Sequence, residues 1–359
     1  MAHPYTDQPT SPLSSPAAPP PKLHAWPALL TLYILSPVIA EMLLGSTPPL
    51  SFVNPLSLIA ETALYGSGSI LVRELVRRRG LGWGNIVLLG AAYGILEEGL
   101  VVNSWFNPSW SGLGKLAYYG RFLDTSWVWA VELTTYHAII SITIPILLTE
   151  LLFPAVAQRP WLGRRGMRGF SIWLAIVSVL MLLGFGFLAF RKQGYTHPPL
   201  MFLGAFLLAV GFVWLGLHLR PRVMALAAPT ARLAPGLWRL RLLAFCAAFA
   251  FFFIAWIVPS IVPWPIVTIL LFVGLVVLAA RMIARWSRRQ GWSVEHQLAL
   301  AAGVLGFFVP LSALVEFVLP FSGKNMTGLF PVNLVFMIGL AVLAGVVKKR
   351  QQRTIGVVI

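Results

Sequence analysis

Ten stretches of the chain are each apolar for roughly the 20 residues that a helix needs to cross a hydrocarbon core. They lie at 26–45, 54–73, 83–103, 127–152, 170–190, 199–218, 240–260, 264–283, 297–319 and 327–347, mostly with short connections between them. Such segments leave little choice of backbone, because every N–H and C=O in lipid must be bonded within the segment. The fold expected is all-α: a polytopic integral membrane protein of about ten transmembrane helices, in contact with the lipid bilayer. Composition agrees, since only 11% of residues are charged, against about 25% in soluble domains.

Orientation follows from the basic residues, which resist translocation and collect in cytoplasmic loops. If all ten stretches cross, one side receives only Lys115, Arg121, Arg191, Lys192 and Lys324, and the other receives the remaining 22 of the 27 Lys and Arg. Both termini are therefore expected in the cytoplasm, and the cell (plasma) membrane is the expected location. A formal net charge of +16 raises the question of a nucleic-acid partner. That requires basic residues gathered on a polar domain, and no such domain exists here, so no nucleic acid is expected. Residues 1–25, rich in Pro, Ser and Ala, read as a disordered cytoplasmic tail, 26–347 as the transmembrane domain and 348–359 as a basic cytoplasmic tail. The lone Cys246 excludes an intrachain disulfide and a cysteine-based zinc site.

Acids carry the functional information. Glu41, Glu61, Glu97, Glu98, Glu132 and Glu316 fall inside spans and, at a helical rise of about 1.5 Å per residue, all in the outer half of the membrane. His137 lies about 15 Å into its span, with Thr134 three residues before it and Ser141 four after. Ionisable groups at such depth are costly, face protein or water, and mark sites. No Lys or Arg shares the outer half of a span, and only Lys115 and Arg121 are expected to reach in from the following loop. Carboxylates crowded without cations must share protons or hold a metal. Glu97, Glu98, Glu132 and His137 are expected to line one cavity between the third and fourth spans, with Glu41, Glu61, Glu316 and Ser141 as further polar cavity residues. Three protein ligands are the usual minimum for a catalytic zinc, and Glu98, Glu132 and His137 are the expected set for a divalent metal. Glu74 and Glu150, beside arginine-rich loops at the inner ends, read as surface salt bridges or helix-end residues.

Gly90 and Gly94 form a Gly-x-x-x-Gly on the third span, a pattern that lets another helix approach closely. Residues 103–129 carry eight aromatic residues and join the two acid-bearing spans, which makes them an interfacial belt or a lid over the cavity.

The run "AAYGILEEGLVV" at 91–102 resembles the first motif of the CAAX-protease and bacteriocin-processing family of intramembrane proteases, an aromatic-Gly turn before a diglutamate within a membrane helix. The resemblance matches Glu97 and Glu98 to the diglutamate and His137 to a membrane histidine. It implies peptide-bond hydrolysis, with a glutamate activating water and the histidine assisting. The chain departs from the pattern at Val102, where arginine is expected, at Leu133, where phenylalanine is expected, and in offering no later His-x-x-x-Asn or His-x-x-x-Asp. Two active functions therefore stand beside a structural or sensory role. One is an intramembrane hydrolase of a membrane peptide using Glu97, Glu98 and His137. The other is a proton- or cation-coupled transporter of an ion or small molecule using the membrane glutamates.

Overall fold

A computed structural model describes residues 24–196, 198–220, 230–319 and 323–356. The expected N-terminal tail lies outside these residues apart from His24 and Ala25. Ten apolar helices follow one another: a shorter α1 (Trp26–Met42), then α2 (Pro55–Arg78), α3 (Trp83–Val101), α4 (Trp127–Leu152), α5 (Arg164–Lys192), α6 (Pro199–His218), α7 (Leu237–Trp256), α8 (Pro265–Trp286), α9 (Val294–Phe317) and α10 (Leu329–Arg353). The last helix runs on to Gly356, through Lys348, Lys349 and Arg350. Among the described residues strand is confined to two short pairs, the hairpin of β1 (Arg121–Phe122) with β2 (Thr125–Ser126) and the parallel pair of β3 (Thr230–Leu233) with β4 (Arg289–Gln290).

The most enclosed helix is α3, 78% of whose apolar window is buried, against 11% for α5 and α8, whose exposed Leu, Ile, Val and Phe face lipid. Small residues place α3 at the centre. A Cβ on Gly90 would lie 3.0 Å from Ala138 of α4, one on Gly94 would lie 2.8 Å from the His137 Cβ, and one on Gly216 of α6 would lie 2.8 Å from Leu89. Asn85, fully buried in α3, ties the end of α6 down by donating to the carbonyls of Gly216 (2.9 Å) and Leu219 (2.8 Å). Without a hydrophobic force between helices in lipid, such close approach and polar links carry the packing.

Contacts between loops sort the two sides of the bundle. On one side Arg73 and Arg77 near the end of α2 bond Glu150 near the end of α4, Arg350 reaches the carbonyls of Leu151 and Leu152, and β3 joins the start of α7 to the end of α8. On the other side Lys324 donates to Ser46, and Tyr119 bonds Thr268. The first side holds the bulk of the Arg and Lys, the side that the charge rule expects in the cytoplasm.

Glu74 and Glu150 differ from the expected surface residues. Both are buried, in a knot with Arg73, Arg77 and Arg78. Arg73 donates to Glu74 (2.8 Å), Glu150 (3.1 Å) and the Ala157 carbonyl (2.6 Å), and its guanidinium lies 3.4 Å from the centre of the Trp161 ring. Glu74 in turn accepts the backbone N–H groups of Trp161 and Leu162, which folds the 153–163 loop back under the bundle. Loop carbonyls and amides supply the partners that water would otherwise have given, and this is what makes the burial tolerable.

Candidate functional site

Among the described residues four π-helical segments occur, and each brings polar residues to one place. Val38–Met42 carries Glu41, Thr62–Gly66 carries Tyr65 and follows directly on Glu61, Leu96–Val101 carries Glu97 and Glu98, and His137–Thr143 carries His137 and Ser141. A π turn admits one more residue than an α turn and narrows the angle between successive side chains. Adjacent carboxylates such as Glu97 and Glu98 can then both face one cavity. Such turns are rare and cluster at functional sites.

The chain's prolines help explain two of them. Pro145, just past the fourth π segment, has no N–H for the carbonyl of Ser141, and that carbonyl accepts instead from the Ser36 hydroxyl at 2.8 Å. Ser36 also bonds Ser69 at 2.5 Å, which ties α1, α2 and α4 together under the site. Pro37 immediately precedes the first π segment.

These turns enclose a cavity of about 580 Å³ on the outer side of the bundle, lined by Glu41, Glu61, Glu97, Glu98, Glu132 and His137 among others. At its floor the His137 Nε2 lies 3.0 Å from Glu98 Oε1, and Nδ1 lies 3.0 Å from the Ser141 hydroxyl. The second oxygen of Glu98 accepts from Ser104, whose hydroxyl also accepts the Trp129 indole N–H at 3.0 Å. The Glu97 Oε2 lies 3.4 Å from His137 Nδ1 and has no hydrogen-bond partner. Tyr65, Tyr93 and Tyr136 surround the imidazole, with ring centres 5.5 to 6.3 Å away.

Glu97, Glu98 and His137, all buried, offer ligand atoms within 4.8 Å of one another. Three protein donors with a fourth position open to a cavity is the arrangement of a catalytic divalent metal. The Ser141 contact to the other ring nitrogen is the outer-shell partner that fixes a ligating imidazole. Glu132 stands outside this group: its carboxylate accepts from the Trp256 indole, while its Oε2 has no partner. Higher in the cavity Glu41 accepts from Tyr65 (2.6 Å) and Thr47 (3.0 Å), and Thr47 also reaches Glu61 at 3.4 Å.

Two expected cavity residues take other places. Glu316 lies away from the cavity and accepts the backbone N–H groups of Gly328 (2.9 Å) and Phe330 (2.7 Å), capping the start of α10, where free amides favour an anion. Ser141 backs His137 rather than lining the space. Nor do Lys115 and Arg121 reach in: Arg121 is turned to the Phe106 and Asp124 carbonyls. The cations at the rim are Lys192, at the end of α5, and Lys324, just before α10. The 103–126 loop does form a wall, through Asn103, Asn107, Ser109 and Trp110. Asn103 ends α3 in the left-handed region at φ 60°, is buried, and leaves its Oδ1 without a partner. Tyr65, Asn103 and Ser104 went unmarked in the sequence, where a Tyr in an apolar span and an Asn-Ser after one are ordinary.

Fold and site together define a multi-pass membrane protein with a buried Glu/Glu/His cluster. The chain belongs to an uncharacterized membrane protein family, whose model matches residues 30–349, from the first helix into the last. No curated protein and no solved structure matches it.

Proposed function

We propose that this chain is an intramembrane hydrolase of the plasma membrane, acting on a membrane peptide admitted from the non-cytoplasmic side. One observation carries the reading: Glu97 holds an unpartnered carboxylate oxygen beside a histidine whose two nitrogens are already fixed by Glu98 and Ser141. Glu97 takes the proton of the attacking water. Glu98 and Ser141 hold His137 beside Glu97, where it assists the base, and Glu97 returns the water proton to the leaving group as the bond breaks. The likeness of "YGILEEGLVV" to the diglutamate motif of intramembrane proteases supports the same roles. A divalent metal such as zinc fits the three-donor set of Glu97, Glu98 and His137 and would supply an activated water there.

The further carboxylates of Glu41 and Glu61 on the same cavity favour a second reading, a proton- or cation-coupled transporter. Proteoliposomes separate the two. Hydrolysis predicts cleavage of a transmembrane-peptide library that falls by about 10²- to 10⁴-fold in Glu97→Gln. Unchanged cleavage in that variant, or ion flux with no cleavage, overturns it.

A further inference from the structure

The outer cavity has a second polar feature that the proposed chemistry does not use. Trp129, Glu132 and Tyr136 occupy positions i, i+3 and i+7 of α4, one face of that helix, and all three line the cavity. Phe252 and Trp256, one turn apart on α7, line it too. The rings of Tyr136, Phe252 and Trp256 form a connected set, with centroids 6.4 Å apart for Tyr136 and Phe252 and 4.9 Å apart for Phe252 and Trp256. The polar edges of these rings are already committed: the Trp129 indole to Ser104, the Tyr136 hydroxyl to the Ala40 carbonyl at 2.6 Å, and the Trp256 indole to Glu132. What they offer the cavity is therefore aromatic surface in a fixed arrangement. Among them Glu132 is only 3% exposed, makes no ion pair with Lys or Arg among the described residues, and leaves its Oε2 without a partner.

We infer that Glu132 with Trp129, Tyr136, Phe252 and Trp256 forms a subsite for an organic ammonium group carried by the substrate. A desolvated cation held over aromatic faces is attracted by their quadrupoles, and the carboxylate supplies the counter-charge. A hard divalent ion is the poorer match, because it needs several oxygen ligands and this corner offers one carboxylate among rings. The inference rests on reading the adjacent Glu97, Glu98 and His137 as the reaction centre, which the bound ammonium would place its substrate against. The same chemistry is presented by a lipid head group and by a soluble amine.

Calorimetry on the purified protein tests it, with choline as probe and 3,3-dimethylbutan-1-ol as the uncharged molecule of the same shape. In phosphatidylglycerol nanodiscs choline is expected to bind at least about tenfold more tightly than the alcohol, a difference of about 1.4 kcal/mol. Glu132→Gln and Trp256→Leu should each remove that preference, and Glu41→Gln should not. Two substitutions on different helices guard against one that fails to fold. Glu97→Gln, which abolishes hydrolysis on the proposed function, should leave choline binding unchanged, so that failure of the chemistry and failure of the subsite are read separately. In phosphatidylcholine nanodiscs weaker choline binding identifies the lipid head group as occupant, and equal binding identifies a soluble amine. Equal affinity for choline and the alcohol, or wild-type choline binding in Glu132→Gln, overturns the inference.

Discussion

Gly94 shows how closely the site depends on single atoms. A methyl group added there would lie 2.8 Å from the His137 Cβ, so Gly94→Ala must push α4 away and with it the imidazole from Glu98. We expect a cost of about 1–3 kcal/mol, the usual range for overpacking, read as a lower unfolding temperature in detergent together with lost turnover. Gly211→Ala, on α6 where nothing lies within 4 Å of the added carbon, should change neither. At the cytoplasmic end Glu150 is bonded by both Arg73 and Arg77 at 3.1 Å or less. Removing its charge in Glu150→Gln leaves the buried Arg77 guanidinium without its anion and Arg73 with Glu74 alone, and should cost about 3–5 kcal/mol. Loss of the helix cap in Glu316→Gln should cost only about 1 kcal/mol. The sequence set Glu316 inside an apolar span and Glu150 beside an arginine-rich loop. It could not reveal which backbone amides or guanidinium groups come to them, because the partners of Glu316 lie 12 and 14 residues away and those of Glu150 lie on another helix.

The helices themselves were legible, because hydropathy and length alone force them in lipid. The apolar stretch expected at 170–190 corresponds to a helix that starts at Arg164 and ends at Lys192, so charged ends were the least readable part. The π turns were invisible. Depth counted along each span set Glu132 level with Glu98, but widened turns at Leu96–Val101 and His137–Thr143 bring Glu97 to His137 and leave Glu132 beside Trp256. This makes the turns testable as elements. Deleting Ile139 should restore an α-helical register in that segment while preserving helix content by circular dichroism. It should also displace His137 enough to cost about 10²-fold in turnover, as misplacement of about 1 Å can. Full turnover in the deletion variant would mean that the π geometry has no part in positioning the histidine.

At the scale of the molecule, an acidic cavity lies at one end of the bundle and the Arg73, Glu74 and Glu150 knot at the other, the cavity end being the one expected on the non-cytoplasmic side. In a Cys246→Ser background, Ser109→Cys on the cavity wall should react with an impermeant maleimide added to intact cells, and Ser287→Cys in the loop after α8 only once the membrane is permeabilised. The expected orientation rests on the uneven distribution of Lys and Arg. The meeting of Glu41, Glu61, Glu97 and Glu98 in one space was readable only in part, since depth in the membrane can be counted along a helix but the azimuth of each helix is set by packing. The most direct test of the central claim, that Glu97 and His137 act as one unit, is cleavage of the responsive library peptide by Glu97→Gln, His137→Ala and the double variant. Groups that act together are grossly non-additive, so the double variant should be no slower than the slower single one. Losses that multiply in the double variant, or no loss in either single variant, would contradict the account.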